Sequence, residues 1–354
     1  MNGPRTTLII LFGGQSAEHD VSCVTASHVM RAADPAKYDV IGVGIARDGS
    51  WHRPGGLTFT GAGERVIPGR LVVEGPEVDP TSIIGRNRHG TVVLPMLHGP
   101  LGEDGTVQGM LELLGVPYAG SGVLSSAIAM DKGIAKQLFA EAGIPQVRHR
   151  TVNAADCTPQ FLGRILEDLG GDVFVKPANM GSSVGVSRAD TTDAVVAAVS
   201  LAARYDNWLV IEETVRAREI EVSVLGNRSP RASLPGEITP GKDFYDYEDK
   251  YEDDAATLTV PAQLTAEQTE EVRELALRAY GTLRCEGMAR VDFFLEEDGR
   301  GFLCNEINTI PGFTPISMYP RMWQASGVSY PELVDELVAL AVDRHASRKH
   351  DTSH

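Results

Sequence analysis

An uninterrupted apolar run, Thr6-Thr7-Leu8-Ile9-Ile10-Leu11-Phe12, breaks at Gly13-Gly14-Gln15-Ser16 and leads into a helix-like pattern over Val21–Arg31. A strand that is apolar on both faces belongs in a parallel sheet covered on both sides by helices. The pattern recurs at Thr91–Leu97, where the polar, glycine-bearing stretch His98–Gly105 precedes a helix through Val107, Met110, Leu111 and Leu114, stopped by Gly115. With a further strand expected over Tyr38–Ala46, this is the start of a doubly wound α/β unit. The first turn lacks G-x-G-x-x-G, which argues against a nicotinamide or flavin cofactor. It carries Glu18, His19 and Asp20 instead, and His98 and Glu103 join them beyond the carboxyl ends of the strands, where ligands of such sheets bind. Acids there suit an ammonium group better than a phosphate. The structural alternative for Glu18 is an acid placed in a first helical turn by the helix dipole. Residues 50–90 are glycine-rich and show no readable pattern.

At 354 residues the chain exceeds what a single core usually serves, so two or three domains are expected. A net charge of −16 disfavours non-specific attraction to nucleic acid or an anionic membrane. The four cysteines, Cys23, Cys157, Cys285 and Cys304, show no C-x-x-C spacing and read as buried thiols of a reducing compartment. The N-terminal apolar run is too short to span a membrane and lacks a signal-peptide pattern, so a cytoplasmic enzyme-sized protein is expected.

In the middle of the chain Tyr118-Ala119-Gly120-Ser121-Gly122 reads as a hinge, and Asp131-Lys132 opens a helix over Gly133–Ala142. Thr158 caps a later helix with Pro159 at its first position, and the strand Asp172–Pro177 follows. Next comes Asn179-Met180-Gly181-Ser182-Ser183-Val184-Gly185, small enough for backbone N–H groups to approach a phosphate, with Lys176 nearby for charge. It is not a P-loop, and a plain hairpin turn fits the same residues. After a helix over Thr192–Arg204, the strand Trp208–Ile211 exits into Glu212-Glu213. Those glutamates suit an adenine amino group or ribose hydroxyls, and equally suit solvent. The segment between Thr239 and Thr257 mixes acids with Tyr245, Tyr247 and Tyr251 and reads as a lid that orders over substrate, against the alternative of a solvated loop.

Near the C-terminus, Thr265 and Gln268 form a capping box, and Ala289–Leu295, the turn Glu297–Arg300 and Cys304–Asn308 read as a β-hairpin. Glu306 and Asn308, two residues apart, share a face, and Asp292 falls near them. The sequence leaves the register open, and a slip of one residue would turn Asp292 away. The three oxygen-bearing side chains suit a hard cation; solvated acids are the alternative. Pro311-Gly312 then turns with backbone N–H groups available to an oxyanion. A last helix is expected from Pro331 to Asp343, followed by a polar tail.

Taken together, Gly13–Ser22, Leu97–Gly105, Met130-Asp131-Lys132, Val175-Lys176-Pro177, Gly181–Gly185 and Asn305–Thr314 resemble the D-alanine–D-alanine ligases, which are ATP-grasp enzymes. The motifs run in order over nearly the whole chain. The resemblance implies an α/β and α+β protein: an N-terminal Rossmann-like α/β domain (1–121), a central ATP-grasp subdomain (122–215), a C-terminal ATP-grasp subdomain (216–345) with a lid loop (239–257), and a flexible tail (346–354). It implies that Lys132, Lys176, Ser182, Ser183 and Lys250 meet the nucleotide phosphates, and that Glu212, Glu213, Val215 and Glu219 meet the adenine and ribose. It further implies Asp292, Glu306 and Asn308 as magnesium ligands, with two ions, manganese as a substitute and a monovalent cation as an addition.

Glu18 would anchor the first D-alanine, with Ser182 and Tyr251 in a hydrogen-bonded set with it that closes the lid and with His98 and Lys250 also meeting substrate, while Ser317 and Met318 would take the second. Arg290 and Gly312 would stabilise the oxyanion. The implied reaction converts one D-alanine carboxylate to an acyl phosphate with ATP, then joins it to the second amine, for peptidoglycan precursors. A homodimer is also implied. Tyr251 favours D-alanine over D-lactate as acceptor; a depsipeptide ligase and a non-catalytic nucleotide-binding protein are the alternatives.

Overall fold

The computed structural model describes residues 5–61, 63, 65–85, 90–239 and 257–348. The expected lid therefore lies almost wholly outside the described residues, and Lys250 and Tyr251 with it.

Strands β1 (Thr6–Gly13), β2 (Tyr38–Ile45), β3 (Trp51–His52), β4 (Thr58–Phe59) and β5 (Thr91–Pro95) form the first sheet, in which β1 lies parallel to β2 on one side and β5 on the other. The continuous apolar run of β1 serves two cores. Leu8, Ile10 and Phe12 enter one hydrophobic cluster while Ile9 and Leu11 enter another on the opposite face. Helix His19–Ala32 packs against β1, and Gly115 ends helix Thr106–Leu114 in a left-handed conformation (φ 62°), as glycine at that place allows. The patternless stretch contributes β3 and β4, two-residue strands antiparallel to β2, and the short helix Pro80–Gly85. Pairing over two residues leaves no period to read.

The second sheet has the order β6-β9-β7-β8, built from β6 (His149–Asn153), β7 (Val173–Pro177), β8 (Ser187–Ala189) and β9 (Trp208–Glu213). Helices Pro159–Asp168 and Thr192–Ala202 cover one face, packing Leu162, Ile165, Val195 and Val199 on Val173, Val175, Leu209 and Ile211. Strand alternation sends Lys176 and Glu212 to the other face. Glu212 and Glu213 thus lie within β9, not beyond its end as the sequence suggested.

The third sheet contains β10 (Arg218–Leu225), β11 (Arg231–Ala232), β12 (Gly236–Thr239), β13 (Thr257–Thr259), β14 (Met288–Glu296) and β15 (Gly301–Asn308). Helix Ala266–Thr282 backs it, and the expected capping box is present, with Gln268 N–H donating to Thr265 Oγ1 at 3.1 Å and Thr265 N–H to Gln268 Oε1 at 3.0 Å. Its core takes Ile220, Val222, Val291 and Phe293, so Glu221, Arg290 and Asp292 point to the opposite face.

The chain then returns to the first sheet. Helices Met318–Ala325 and Tyr330–Ser347 place Tyr319, Trp323, Leu333, Leu337 and Ala341 in the same cluster as Leu8, Ile10 and Phe12. The last helix is opened by a capping box of Ser329 and Glu332 and continues to Ser347, past the expected end at Asp343 and two residues into the expected tail. The expected hinge is anchored. Ser121 is buried, its hydroxyl donates to the Glu286 carbonyl at 3.2 Å, and a Cβ on Gly287 would lie 2.8 Å from the Gly120 nitrogen. Helix Val123–Met130 follows it, unforeseen. All four cysteines are free thiols, with Cys157 only partly buried. Among the described residues no helix is long and apolar enough to cross a membrane.

Candidate active site

The β14–β15 register answers the question left by the sequence: Asp292 pairs directly with Glu306 and Arg290 with Asn308. Directly opposed residues share a face, so all four side chains emerge together. A one-residue irregularity follows, because Phe293 pairs with Cys304 and Asn305 is the extra residue. Arg290 donates to Asp292 through Nε at 2.7 Å and Nη2 at 2.6 Å, and its Nε lies 3.2 Å from Glu221 Oε1. Burial opposes the guanidinium charge, but Asp292 and Glu221 outweigh it and raise its pKa. The Asn308 side-chain oxygen accepts the Ile310 N–H at 3.0 Å. Two carboxylates and an amide oxygen on one face are hard donors that fit magnesium.

Two lysines approach from the second sheet and its neighbouring helix. Lys132, at the start of helix Lys132–Glu141 behind its cap Asp131, donates to the Met180 carbonyl at 2.7 Å and lies 3.4 Å from Glu306 Oε2. Lys176 Nζ is 2.6 Å from Glu212 Oε2 and 3.4 Å from Asn305 Oδ1, which ties β7 to the hairpin. Burial works against the Lys176 charge, yet Glu212 reverses the balance and raises its pKa. Glu212 itself is buried, which would favour the neutral acid, but Lys136 and Lys176 hold it ionised well below the usual carboxylate range. Sequence reasoning missed Lys136, which is 1% exposed with Nζ 2.8 Å from Glu212 Oε1. The signal available was its spacing, four residues after Lys132 on the same helical face.

Glu213 is taken by arginines: Arg148 donates from its backbone N–H at 2.7 Å and Nε at 2.6 Å, and Arg300 from Nη1 at 2.6 Å. Arg148 thereby fixes the end of β9. Val215 lies in the link from β9 to β10, half-buried, and Glu219 sits in β10 opposite Ile238 and Phe294.

The loop after β7 reaches the first sheet. Ser182 Oγ donates to Glu18 Oε1 at 2.6 Å, joining residues 164 positions apart. Ser182 and Ser183 hold left-handed backbone conformations (φ 50° and 58°), uncommon for residues with a Cβ. Gly99 and Gly181 bring two loops against the same carboxylate: a Cβ on either would lie 3.0 Å from Glu18 Oε2. His98 is buried rather than displayed on a rim. Its Nδ1–H must donate to the Ile310 carbonyl (3.0 Å), which leaves Nε2 to accept from the Thr25 hydroxyl (3.2 Å), and burial lowers its pKa. Glu103 accepts the Gly99 N–H at 2.7 Å; burial, then the charge of Glu18, push its pKa up to about 8.

Gly312 lies beside Ser317, whose Oγ would be 3.1 Å from a Cβ at that position. Ser317 Oγ also accepts the Thr314 N–H at 3.1 Å, and Ser317 stands at the N-cap position of the helix that begins at Met318 without a side-chain bond to that helix. The described site residues therefore fall in two groups. Glu18, His98, Ser182, Gly312 and Ser317 lie on the side of the first sheet, and the lysines, glutamates and hairpin acids lie between the second and third.

Two antiparallel sheets presenting lysines and oxygen donors on their open faces, joined to a parallel-sheet domain by a serine-glycine loop, make this an ATP-grasp fold. The family model for the D-ala D-ala ligase N-terminus matches residues 7–121, and that for the D-ala D-ala ligase C-terminus matches residues 138–339. The chain belongs to the D-alanine–D-alanine ligase family. It is 47% identical to the D-alanine–D-alanine ligase of Geobacillus kaustophilus, with 98% of this chain and 97% of that one covered. It is 46% identical to the Clostridium novyi enzyme of the same name, over 96% and 99%. Among solved structures, the D-alanine–D-alanine ligase from Coxiella burnetii superposes with a TM-score of 0.81 at 35% identity, covering 97% of each chain. The VanG D-Ala:D-Ser ligase from Enterococcus faecalis gives 0.79 at 30% identity, over 96% of this chain and all (100%) of that one.

Proposed function

We propose that this chain is an ATP-dependent carbon–nitrogen ligase that joins two D-alanines into D-alanyl-D-alanine for peptidoglycan precursors, acting in the cytoplasm as a homodimer. The observation that carries the reading is the Ser182–Glu18 hydrogen bond of 2.6 Å, which links a phosphate-type loop to an ammonium-type acid in a chain of this family. We take 1–121, 122–215 and 216–345 as its three functional domains, the last returning helices to the first.

In this reading Lys132 and Lys176 neutralise the phosphates of ATP, and the Ser182-Ser183 loop covers them. Glu212, Glu213, Val215 and Glu219 line the adenine and ribose. Because its side chain is held by Arg148 and Arg300, Glu213 serves through its backbone. Asp292, Glu306 and Asn308 hold magnesium, for which we assign two ions, with manganese as a substitute and a monovalent cation nearby. When bound, the metal supplies charge neutralisation as the phosphoryl group moves.

Glu18 accepts from the ammonium of the first D-alanine, with His98 supporting the backbone at Ile310. The carboxylate of that substrate attacks the γ-phosphorus, ADP leaves, and an acyl phosphate results. Ser317 and the Met318 N–H hold the carboxylate of the second D-alanine. Its ammonium gives up a proton to solvent, the free amine attacks the acyl carbon, and inorganic phosphate departs. Arg290 and the Gly312 N–H meet the oxyanion of the tetrahedral intermediate. The Asp292 contact uses Nε and Nη2, so Nη1 is the nitrogen assigned to this role. Lys250 and Tyr251 act from the lid.

A second reading concerns the acceptor, because a relative titled a D-Ala:D-Ser ligase shares this fold at 30% identity. Phosphate release and product mass, measured with Mg-ATP and D-alanine alone or with D-serine or D-lactate, decide the matter. D-Ala-D-Ala formed from D-alanine alone is the expected result. Products containing only D-serine or D-lactate as the second residue would overturn it.

A further inference from the structure

Lys136 has no role in the reaction as assigned above, yet it is a lysine with 1% exposure, and lysines are almost never fully buried without a partner. Its partner is Glu212, 2.8 Å away, whose other oxygen lies 2.6 Å from Lys176. The three side chains form a buried row of cation, anion, cation, with side-chain exposures of 1%, 3% and 13%. Lys136 Nζ and Glu212 Oε1 are close enough to pair by charge but lack the alignment of a hydrogen bond, and both atoms are sealed from solvent. Lys136 therefore acts on its neighbour through charge and cannot touch a substrate.

Geometry fixes that neighbour. Helix Lys132–Glu141 carries Lys132 and Lys136 on one face, so the helix that sends Lys132 toward Glu306 also sends Lys136 under β9. The Gln146 side chain donates to the Lys136 carbonyl at 3.0 Å and holds that turn. We propose that Lys136 is a positioning residue for the nucleotide: by sharing the charge of Glu212 it weakens the hold of Glu212 on Lys176, 2.6 Å away, and so leaves the Lys176 ammonium able to turn to phosphate. This rests on the assignment of Lys176 and Glu212 to the nucleotide site. With both lysines present, the one carboxylate faces two cations and neither is neutralised by it alone. Remove Lys136 and the whole attraction of Glu212 falls on Lys176 in a low-dielectric setting, where such attraction is strong.

The test is a double-mutant cycle on the full chain, with Mg-ADP affinity measured by calorimetry and the KM for D-alanine by phosphate release. Lys136→Met should weaken ADP binding on the order of tenfold, within the range of coupling between contacting residues, and leave the KM for D-alanine unchanged. In a Glu212→Gln background the same substitution should have no further effect. An unchanged ADP affinity in Lys136→Met, or additive losses in the double variant, overturns the proposal. If Lys136→Met fails to fold, the double variant, in which both charges are gone, decides alone: ADP binding weaker than in Glu212→Gln would mean that Lys136 acts by another route. Should Glu212→Gln itself leave ADP binding untouched, the nucleotide-site assignment is what fails.

Discussion

Ser182→Ala tests the join between the phosphate loop and the first domain with little other disturbance. The substitution removes one oxygen and retains the Cβ already accommodated at φ 50°. What is lost is the 2.6 Å donation to Glu18 Oε1, a hydrogen bond to a carboxylate side chain. Such bonds contribute about 1.5–3 kcal/mol. If the bond holds the loop closed during phosphoryl transfer, kcat/KM for D-alanine at saturating Mg-ATP falls roughly 10- to 150-fold, since each 1.36 kcal/mol is about tenfold in rate. The assay is coupled phosphate release with D-alanine varied. ADP affinity, measured separately, should change little, because Lys132 and Lys176 remain. A Ser182→Ala enzyme with wild-type kcat/KM, or one whose loss appears wholly in ADP affinity, would refute the reasoning.

Lys176→Met should lower turnover by roughly 10²- to 10³-fold, the usual cost of losing one electrostatic contact in a transition state, while circular dichroism shows a folded chain. Folding survives because Glu212 keeps Lys136 at 2.8 Å. Glu103→Gln should flatten the pH dependence of stability. The folded pKa of Glu103 is raised to about 8 from an ordinary 4.5, so the folded state holds a proton that the unfolded chain releases, and wild-type stability falls as pH rises through that window. Denaturant titrations at pH 5 and pH 8 should show a smaller difference in the variant. Chelation of divalent metal should abolish phosphate release and magnesium restore it, with Glu306→Gln requiring higher magnesium for half-maximal rate.

Much of this is legible in the sequence. The unbroken apolar run of β1 announced a strand with cores on both faces, and the capping box at Thr265 announced a helix start, because both are local and periodic. The hairpin itself was readable, yet its register was not: the extra residue Asn305 shifts the pairing beyond Asp292 by one, and two-residue alternation cannot register such an insertion. Lys136 was hidden for a different reason. A lysine four residues after another on a short helix reads as a solvated face, and only the packing of β9 over it turns it inward. His98 is buried although its sequence position suggests a rim, because a place at a strand's end says nothing of what later chain, here Ile310, will cover it.

The cluster that unites Leu8 and Ala341 bears on how the chain is made. Emerging from the ribosome, the sheet face that carries Leu8, Ile10 and Phe12 receives helix His19–Ala32 at once, but it lacks Tyr319, Trp323, Leu333 and Leu337 until they arrive some three hundred residues later. The earliest-synthesised domain is thus among the last to be completed. A nascent chain arrested after residue 121 should present an incompletely covered apolar face to chaperones, and its completion should coincide with release of the final helix.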